Sequence, residues 1–428
     1  MTRTSSSHLG LTAVLDIGTS KTVCLVAAPM AGGAGSAADG AWHEAPLRIL
    51  GIGHQQSRGV KAGVIIDLAE AEHCIRATLA QAERMAGVTL ESVLVSVSCG
   101  RLKSHTITAS ADIGGATVTA RDISRLMAGA RAYVERDGRR LVHANRKAVY
   151  LDGNLSGGDP AGMAGRQITS SIHAIAADEA PIRNLLMVLE RCHVRTAGVV
   201  VAPFASALAV TSEEERQLGV TVIDMGSGTT KLAAFSGGHL EFVASVPIGS
   251  GLLTTDIARA LHTPHIEAER IKALYGNLFS ARSDEHEDFA YPQSGGEDGQ
   301  MQQATRAQLA SVIRPRARGI LEAVALATGA GRWGGGADGP VVLTGGGSLL
   351  TGVAEFASDV LQRPVRKGQA AEISGLPPVA RSPAFATATG LLMASGSAQE
   401  RQSVIGDSSE SEHDGYLQRV GAWLKSGF

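Results

Sequence analysis

Short apolar runs alternate along the chain with longer stretches whose apolar residues recur every three or four positions, so strands and helices are both written into the pattern. Residues 13–15, 23–27 and 49–53 read as strands, and residues 67–85 as an amphipathic helix. The character then changes. Ser-Val-Leu-Val-Ser-Val-Ser at 92–98 is strand-like, 101–111 alternates, 120–134 reads as a helix, and 148–151 and 167–176 are further strands. Small strands around one helix predict an α+β module inserted before the chain returns in a helix at 180–192. Farther on, 249–261 and 263–275 carry helical patterns, the second with Thr263 as N-cap and Pro264 at the first helical position. Residues 29–40, 280–303 and 395–415 are Gly-, Ser- or acid-rich and read as loop, insertion and tail.

One device occurs twice. Val14-Leu15-Asp16-Ile17-Gly18-Thr19-Ser20-Lys21 and Val222-Ile223-Asp224-Met225-Gly226-Ser227-Gly228-Thr229-Thr230-Lys231 each run an apolar strand into Asp-X-Gly and small hydroxyl residues. Glycines bring backbone N–H groups against phosphate oxygens, hydroxyls add donors, and an Asp at the strand end suits the waters of a magnesium ion. Either copy alone also fits an ordinary hairpin turn. Their repetition predicts a duplicated nucleotide-binding core. A third segment, Val341-Val342-Leu343-Thr344-Gly345-Gly346-Gly347-Ser348-Leu349-Leu350, places three glycines where a flat base or ribose would lie against backbone.

Composition narrows the classes. A chain of 428 residues, 44% hydrophobic and 19% charged, is long enough for more than one core. The net charge of −2 supplies no basic face for nucleic acid, so no nucleic-acid partner is expected. Cys24, Cys74, Cys99 and Cys192 lack a Cys-X-X-Cys spacing, which argues against a zinc site or disulfide framework and for a reducing compartment. The apolar run 199–210 holds Pro203 and is shorter than the roughly 20 residues a bilayer span requires. With no leader visible in the polar start, a cytoplasmic location is expected.

The last thirteen residues carry a second signal. On a helix, Tyr416, Leu417, Val420, Trp423, Leu424 and Phe428 fall within an arc of roughly 140°, with Arg419 and Lys425 outside it. Trp and Tyr suit a lipid headgroup boundary, and Arg and Lys reach its phosphates, so this helix is expected to lie in a membrane surface. Docking on the protein's own core is the alternative, against which the long polar tether speaks. The ordering entropy offsets most of the apolar gain, so one anchor is weak and many copies together hold firmly.

The three loops, in this order and at these distances, resemble the actin, hexokinase and DnaK-type chaperone superfamily. Small-residue helices at 203–208 and 383–390 fit that superfamily's inter-domain connectors. With the insert and the tail added, nearly the whole chain resembles the FtsA family of bacterial cell-division proteins. Thr255-Asp256-Ile257-Ala258, Ala268-Glu269-Arg270-Ile271-Lys272, Tyr275-Gly276, residues 309–316 and Asp152-Gly153 through Gly165 add to the likeness. The fold this implies is α/β: a duplicated actin-like ATPase core of two lobes, an inserted small α+β subdomain and a C-terminal amphipathic helix. Expected boundaries are 9–88 with 168–214 for the first lobe, 89–167 for the insert, 215–248 with 331–394 for the second lobe, 249–330 for its smaller subdomain, 395–415 for a linker and 416–428 for the membrane helix.

The resemblance implies ATP with Mg²⁺ between the lobes. Asp16 and Asp224 would hold the metal through water. Gly18, Thr19, Ser20 and Lys21 would form the first phosphate loop, Gly226, Ser227, Gly228 and Thr229 the second, and Gly345, Gly346 and Gly347 the adenosine loop. Glu269 and Lys272 match residues that the chaperone branch uses to grip adenosine, and also fit a solvated helix face. Family members usually carry Gly where Ser227 stands and an acidic or neutral residue where Lys231 stands. Implied partners are a second copy in a head-to-tail filament, lipids on the cytoplasmic side of the inner membrane, the C-terminal peptide of FtsZ, for which Arg306, Arg314 and Arg316 are candidates, and later division proteins through the insert. No residue identifies itself as positioning an attacking water, which leaves turnover open. Two alternatives share the core: a sugar or carboxylic-acid kinase, for which no catalytic base is evident, and a pilus-type assembly factor, which normally lacks such a tail.

Overall fold

In the computed structural model the described residues are 4–5, 10–30, 47–156, 160–279, 285–294, 301–328 and 339–396. The expected linker and membrane helix, 395–415 and 416–428, lie outside them save for its first two residues.

The first lobe opens with β1 (Thr12–Ile17), β2 (Lys21–Pro29) and β3 (Leu47–Gln56), an antiparallel meander. Helix α1 (Leu68–Ala86) starts where the Asp67 carboxylate accepts from the backbone N–H of Ala69 and Glu70, and stops at Gly87 in the left-handed region. β4 (Ser92–Val97) then returns parallel to β1. Its Val93, Val95 and Val97 are fully buried and Leu94 nearly so, as a strand covered on both faces requires.

Next comes the inserted module. β5 (Lys103–Asp112), α2 (Ala120–Val134), β6 (Arg139–Leu151) and β7 (Gln167–Asp178) form an antiparallel sheet with one helix, and the short strand Asn154–Leu155 pairs at its edge with β6. Thr119 and Asp122 close a capping box at the start of α2, whose Leu126, Ala130 and Val134 are buried toward the sheet. The expected insert, 89–167, is corrected at both ends. Ser92–Val97 belongs to the first-lobe sheet because it pairs in parallel with β1, and Gln167–Asp178 belongs to the insert because it pairs with β5 and β6 over most of its length.

After α3 (Glu179–Arg191), β8 (Arg195–Val201) joins β4 in parallel and α4 (Ala202–Val210) crosses to the second lobe. There β9 (Val220–Met225), β10 (Thr230–Ser236) and β11 (His239–Val246) repeat the meander. α5 (Gly251–Ala260), α6 (His265–Tyr275) and α7 (Arg306–Thr328) build the smaller subdomain around Ile257, Ile271, Leu309, Ile313 and Leu321. Part of the excursion expected at 280–303 is a hairpin, Asp288–Pro292 with Met301–Thr305, whose Phe289 and Tyr291 enter this core. Thr263 does not cap α6. Its hydroxyl donates to the Pro292 carbonyl at 2.6 Å, and Pro264 occupies the cap. β12 (Val341–Thr344), α8 (Val353–Leu361) and β13 (Val365–Lys367) complete the second lobe, and α9 (Ala386–Gly396) crosses back against α4.

Duplication is visible in the strand order. The first sheet runs β3-β2-β1-β4-β8 and the second-lobe strands run β11-β10-β9-β12-β13, each an antiparallel meander followed by two parallel strands. The insert sheet is joined to the second of these through Lys103 of β5 and Ala244 of β11. Beside that bridge the Ser104 hydroxyl accepts from the Val243 N–H at 2.7 Å and donates to its carbonyl at 3.0 Å, and Lys147 pairs with Glu241.

Candidate functional site: two facing loops between the lobes

Both Asp-X-Gly segments close hairpins, β1 to β2 and β9 to β10, and they do so alike. A Cβ on Gly18 would lie 2.9 Å from the carbonyl oxygen of Lys21, and one on Gly226 2.8 Å from that of Thr229, so each turn excludes any side chain at that position. The loops meet. A Cβ on Gly228 would stand 2.8 Å from Cγ2 of Thr19, which brings the second loop onto the first, while Thr19 Oγ1 accepts from the Gly63 N–H at 3.0 Å. Ser20 is exposed and Ser227 half-buried beside them. The third loop closes the same region: Gly345, at φ +81°, and Gly347 pack on Met225, and Gly346 between them is exposed.

Four charges collect at this junction. Asp16, half-buried, accepts from Ser96 Oγ at 2.6 Å, which among the described residues is its one side-chain donor. Burial pushes its carboxyl up against the opposing pull of Lys231 and Ser96. Lys21 lies 3.9 Å above the Phe385 ring, and burial lowers its ammonium to about 8, partly countered by Asp16 and Asp224. Asp224, only 4% exposed, accepts through Oδ2 from Lys231 Nζ at 3.1 Å, Ser206 Oγ at 2.7 Å and Thr387 Oγ1 at 3.4 Å. Burial opposes its ionisation, yet Lys231 and these hydroxyls outweigh it and hold the carboxyl below its ordinary range. For Lys231, Asp224 and Asp16 likewise outweigh burial and raise the ammonium.

These geometries test the expected metal ligands. Asp16, half-buried and with one donor, fits a group that holds metal-bound water. Asp224 differs: three donors approach its Oδ2, with Ser206 on α4 and Thr387 on α9 coming from the two crossing helices, while its Oδ1 receives no hydrogen bond among the described residues. Lys231, whose effect on local charge the sequence raised, is the partner that the register places opposite Asp224 on the neighbouring strand.

The remaining candidates separate. Glu269 and Lys272 pair at 2.7 Å and share Thr254, whose hydroxyl donates to Glu269 at 2.5 Å and accepts from Lys272 at 2.8 Å, so they brace α6 on α5. Arg306, Arg314 and Arg316 do not form one cluster. Arg306 pairs with Glu287 at 3.1 Å and Arg316 with Asp256 at 2.7 Å, whereas Arg314 and Arg318 both lie over the Phe356 ring. Their spacing on α7 is the reason: residues four apart share a face, residues two apart do not. Sequence reasoning passed over Ser96, Ser206 and Thr387, which reach the two aspartates from other elements. Tyr416, Leu417, Arg419, Val420, Trp423, Leu424, Lys425 and Phe428 lie outside the described residues. Among those described, no helix is long and apolar enough to cross a membrane.

Known proteins share this fold. Among solved structures, the PilM–PilN type IV pilus biogenesis complex aligns over 89% of this chain and 97% of its own with a TM-score of 0.61 at 17% identity. MreB5 of Spiroplasma citri bound to ADP aligns over 92% and 98% with 0.52 at 13% identity. These likenesses establish an actin-like fold. In sequence, the cell division protein FtsA of Agrobacterium fabrum (strain C58) is 37% identical across 99% of this chain and 96% of its own length. FtsA of Pseudomonas aeruginosa is 30% identical over 97% of each chain, and that of Escherichia coli K12 28% over 97% of each. The family description "Cell division protein FtsA" matches residues 221–390, and "SHS2 domain inserted in FTSA" matches 99–176, which spans most of the module from β5 to β7. Neither a kinase nor a pilus factor is favoured by full-length identity of this kind: the duplicated, loop-facing core and its insert place the chain in the FtsA family of cell division proteins.

Proposed function

We propose that this cell division protein binds ATP between its lobes, assembles head to tail with further copies, and ties FtsZ filaments to the cytoplasmic face of the inner membrane through residues 416–428. The contact of Gly228 with Thr19 carries the ATP reading, since it brings both Asp-X-Gly loops and the Lys21 ammonium to one place. MreB5 bound to ADP and MreB 5 bound to AMPPNP share the fold, which supports a nucleotide in the same cleft. Backbone N–H groups of Gly18 to Ser20 and Gly226 to Thr229 would cradle the phosphates, Lys21 would neutralise them, and the exposed face of Gly346 would receive adenosine. A magnesium ion, when bound, screens the charge of the polyphosphate; Asp16 is the residue suited to hold its water. Glu269 and Lys272 flank the adenosine side as a mutually paired couple.

Filament formation and the tail act together. Each tail gains little alone, whereas copies fixed in one polymer hold a membrane collectively. Arg314 and Arg318, which share the Phe356 ring on one face of α7, are the arginines best placed as a pair for an acidic FtsZ peptide; Arg318 also lies 4.0 Å from Glu322, whereas Arg306 and Arg316 pair more closely with internal carboxylates. The inserted module is the surface offered to later division proteins. Co-sedimentation with anionic liposomes, with and without ATP, tests this function on the intact chain and on one ending at Gly415. Pelleting lost only in the shortened chain is the expected result; equal pelleting of both removes the membrane role.

A further inference from the structure

Lys231 has no counterpart in the first loop. In register, the residue opposite Asp224 is Lys231, while the residue opposite Asp16 is Val23. The lysine of the first loop, Lys21, instead stands at the beginning of β2, beside the turn. The second lobe therefore carries its cation on the strand itself, held against Asp224 at 3.1 Å with a side chain 11% exposed. Ser206 and Thr387 also approach that carboxylate's Oδ2, while its Oδ1 receives no hydrogen bond among the described residues.

Charge then decides what the cleft needs. Asp16, Asp224, Lys21 and Lys231 sum to zero when all are ionised, and the same cleft without Lys231 would carry one net negative charge toward an incoming polyphosphate. An ammonium is an effective point-charge partner for phosphate. Building on the ATP reading above, we propose that Lys231 is a resident cation of the second phosphate loop, which cancels the Asp224 charge beside an incoming nucleoside triphosphate and so lessens the need of binding for a divalent ion.

The test is titration of the full chain with a fluorescent N-methylanthraniloyl ATP, in excess magnesium and in excess EDTA. For the unaltered protein, the dissociation constant in EDTA is expected within about threefold of that in magnesium; for Lys231→Met the two should differ by about tenfold or more. Because Lys231→Met leaves Asp224 buried without its cation, the double variant Lys231→Met with Asp224→Asn provides a neutral pair, and its melting temperature checks the fold. Its net charge equals that of the unaltered cleft, so it should bind in EDTA about as well as the unaltered protein does. Binding by the unaltered protein that vanishes in EDTA overturns this inference and leaves the ATP reading standing, as does a folded double variant that needs magnesium as much as Lys231→Met does. Failure to bind in either buffer overturns both.

Discussion

Gly390 of α9 rests directly on the carbonyl group of Ala205 in α4, so closely that a methyl group at Gly390 would collide with that carbonyl. Every residue of α4 is buried, and Ser206 and Thr387 bond to each other at 2.8 Å where the helices meet. Close crossing of two small-residue helices is what lets a single connection pass each way between lobes while their loops stay in register.

Gly390→Ala is therefore expected to destabilise the protein by about 1–3 kcal/mol, the usual cost of overpacking a filled site. Urea unfolding should show a lower midpoint with little change in slope. A midpoint at or above that of the unaltered protein would show that the helices can part without cost.

At the loops, Gly228→Ala should weaken ATP binding about tenfold or more by forcing Thr19 away from the second loop. Gly319→Ala is the control. Gly319 sits in α7 with nothing within 4 Å of an added Cβ, so this change should leave affinity as it was. Similar affinities for both variants would mean that the two loops need not touch for a nucleotide to bind.

Lys21 provides a proton signal. Burial lowers its ammonium to about 8, and an arriving polyphosphate favours the charged form. Binding near pH 8 should then take up about half a proton per ATP, and affinity should fall as pH rises further. Calorimetry in two buffers of different ionisation enthalpy measures this uptake, which should shrink at pH 6.5. Heats independent of buffer at pH 8 would place Lys21 away from the phosphates.

Acid should loosen the insert. His143 and His173 are buried, and burial holds them down at about 4 and about 3; His143 packs on Phe204 of α4 with ring centroids 5.0 Å apart. Their unfolded forms take up protons near pH 6.5 while the folded forms stay neutral, so the unfolded state binds more protons below that pH. Stability is thus complete above about pH 6.5 and declines by up to about 1.4 kcal/mol per imidazole for each pH unit below it, until the folded values are reached. Urea midpoints from pH 7.5 to 4.5 should fall less steeply in His143→Leu and His173→Gln than in the unaltered chain; parallel curves would contradict the assignment.

Much of this protein is legible from local pattern. Apolar strands ending in Asp-X-Gly announced both hairpins because a tight turn can be made only with glycine at Gly18 and Gly226, a requirement that acts within a few residues. The 3.6-residue spacing of α1 and α2 and the duplication were readable for the same reason.

What the linear chain could not decide was set by contacts across long separations. Whether Ser92–Val97 serves the lobe or the insert depends on which strand it pairs with, and its partners lie far away in the chain. That the insert joins the second-lobe sheet follows from Lys103 meeting Ala244, a contact no periodicity records. Most consequentially, Asp16 and Asp224 look equivalent in sequence, yet folding leaves the first partly accessible and surrounds the second with Ser206, Lys231 and Thr387. A motif specifies which groups are present; burial and the donors brought by distant helices specify what those groups are free to bind.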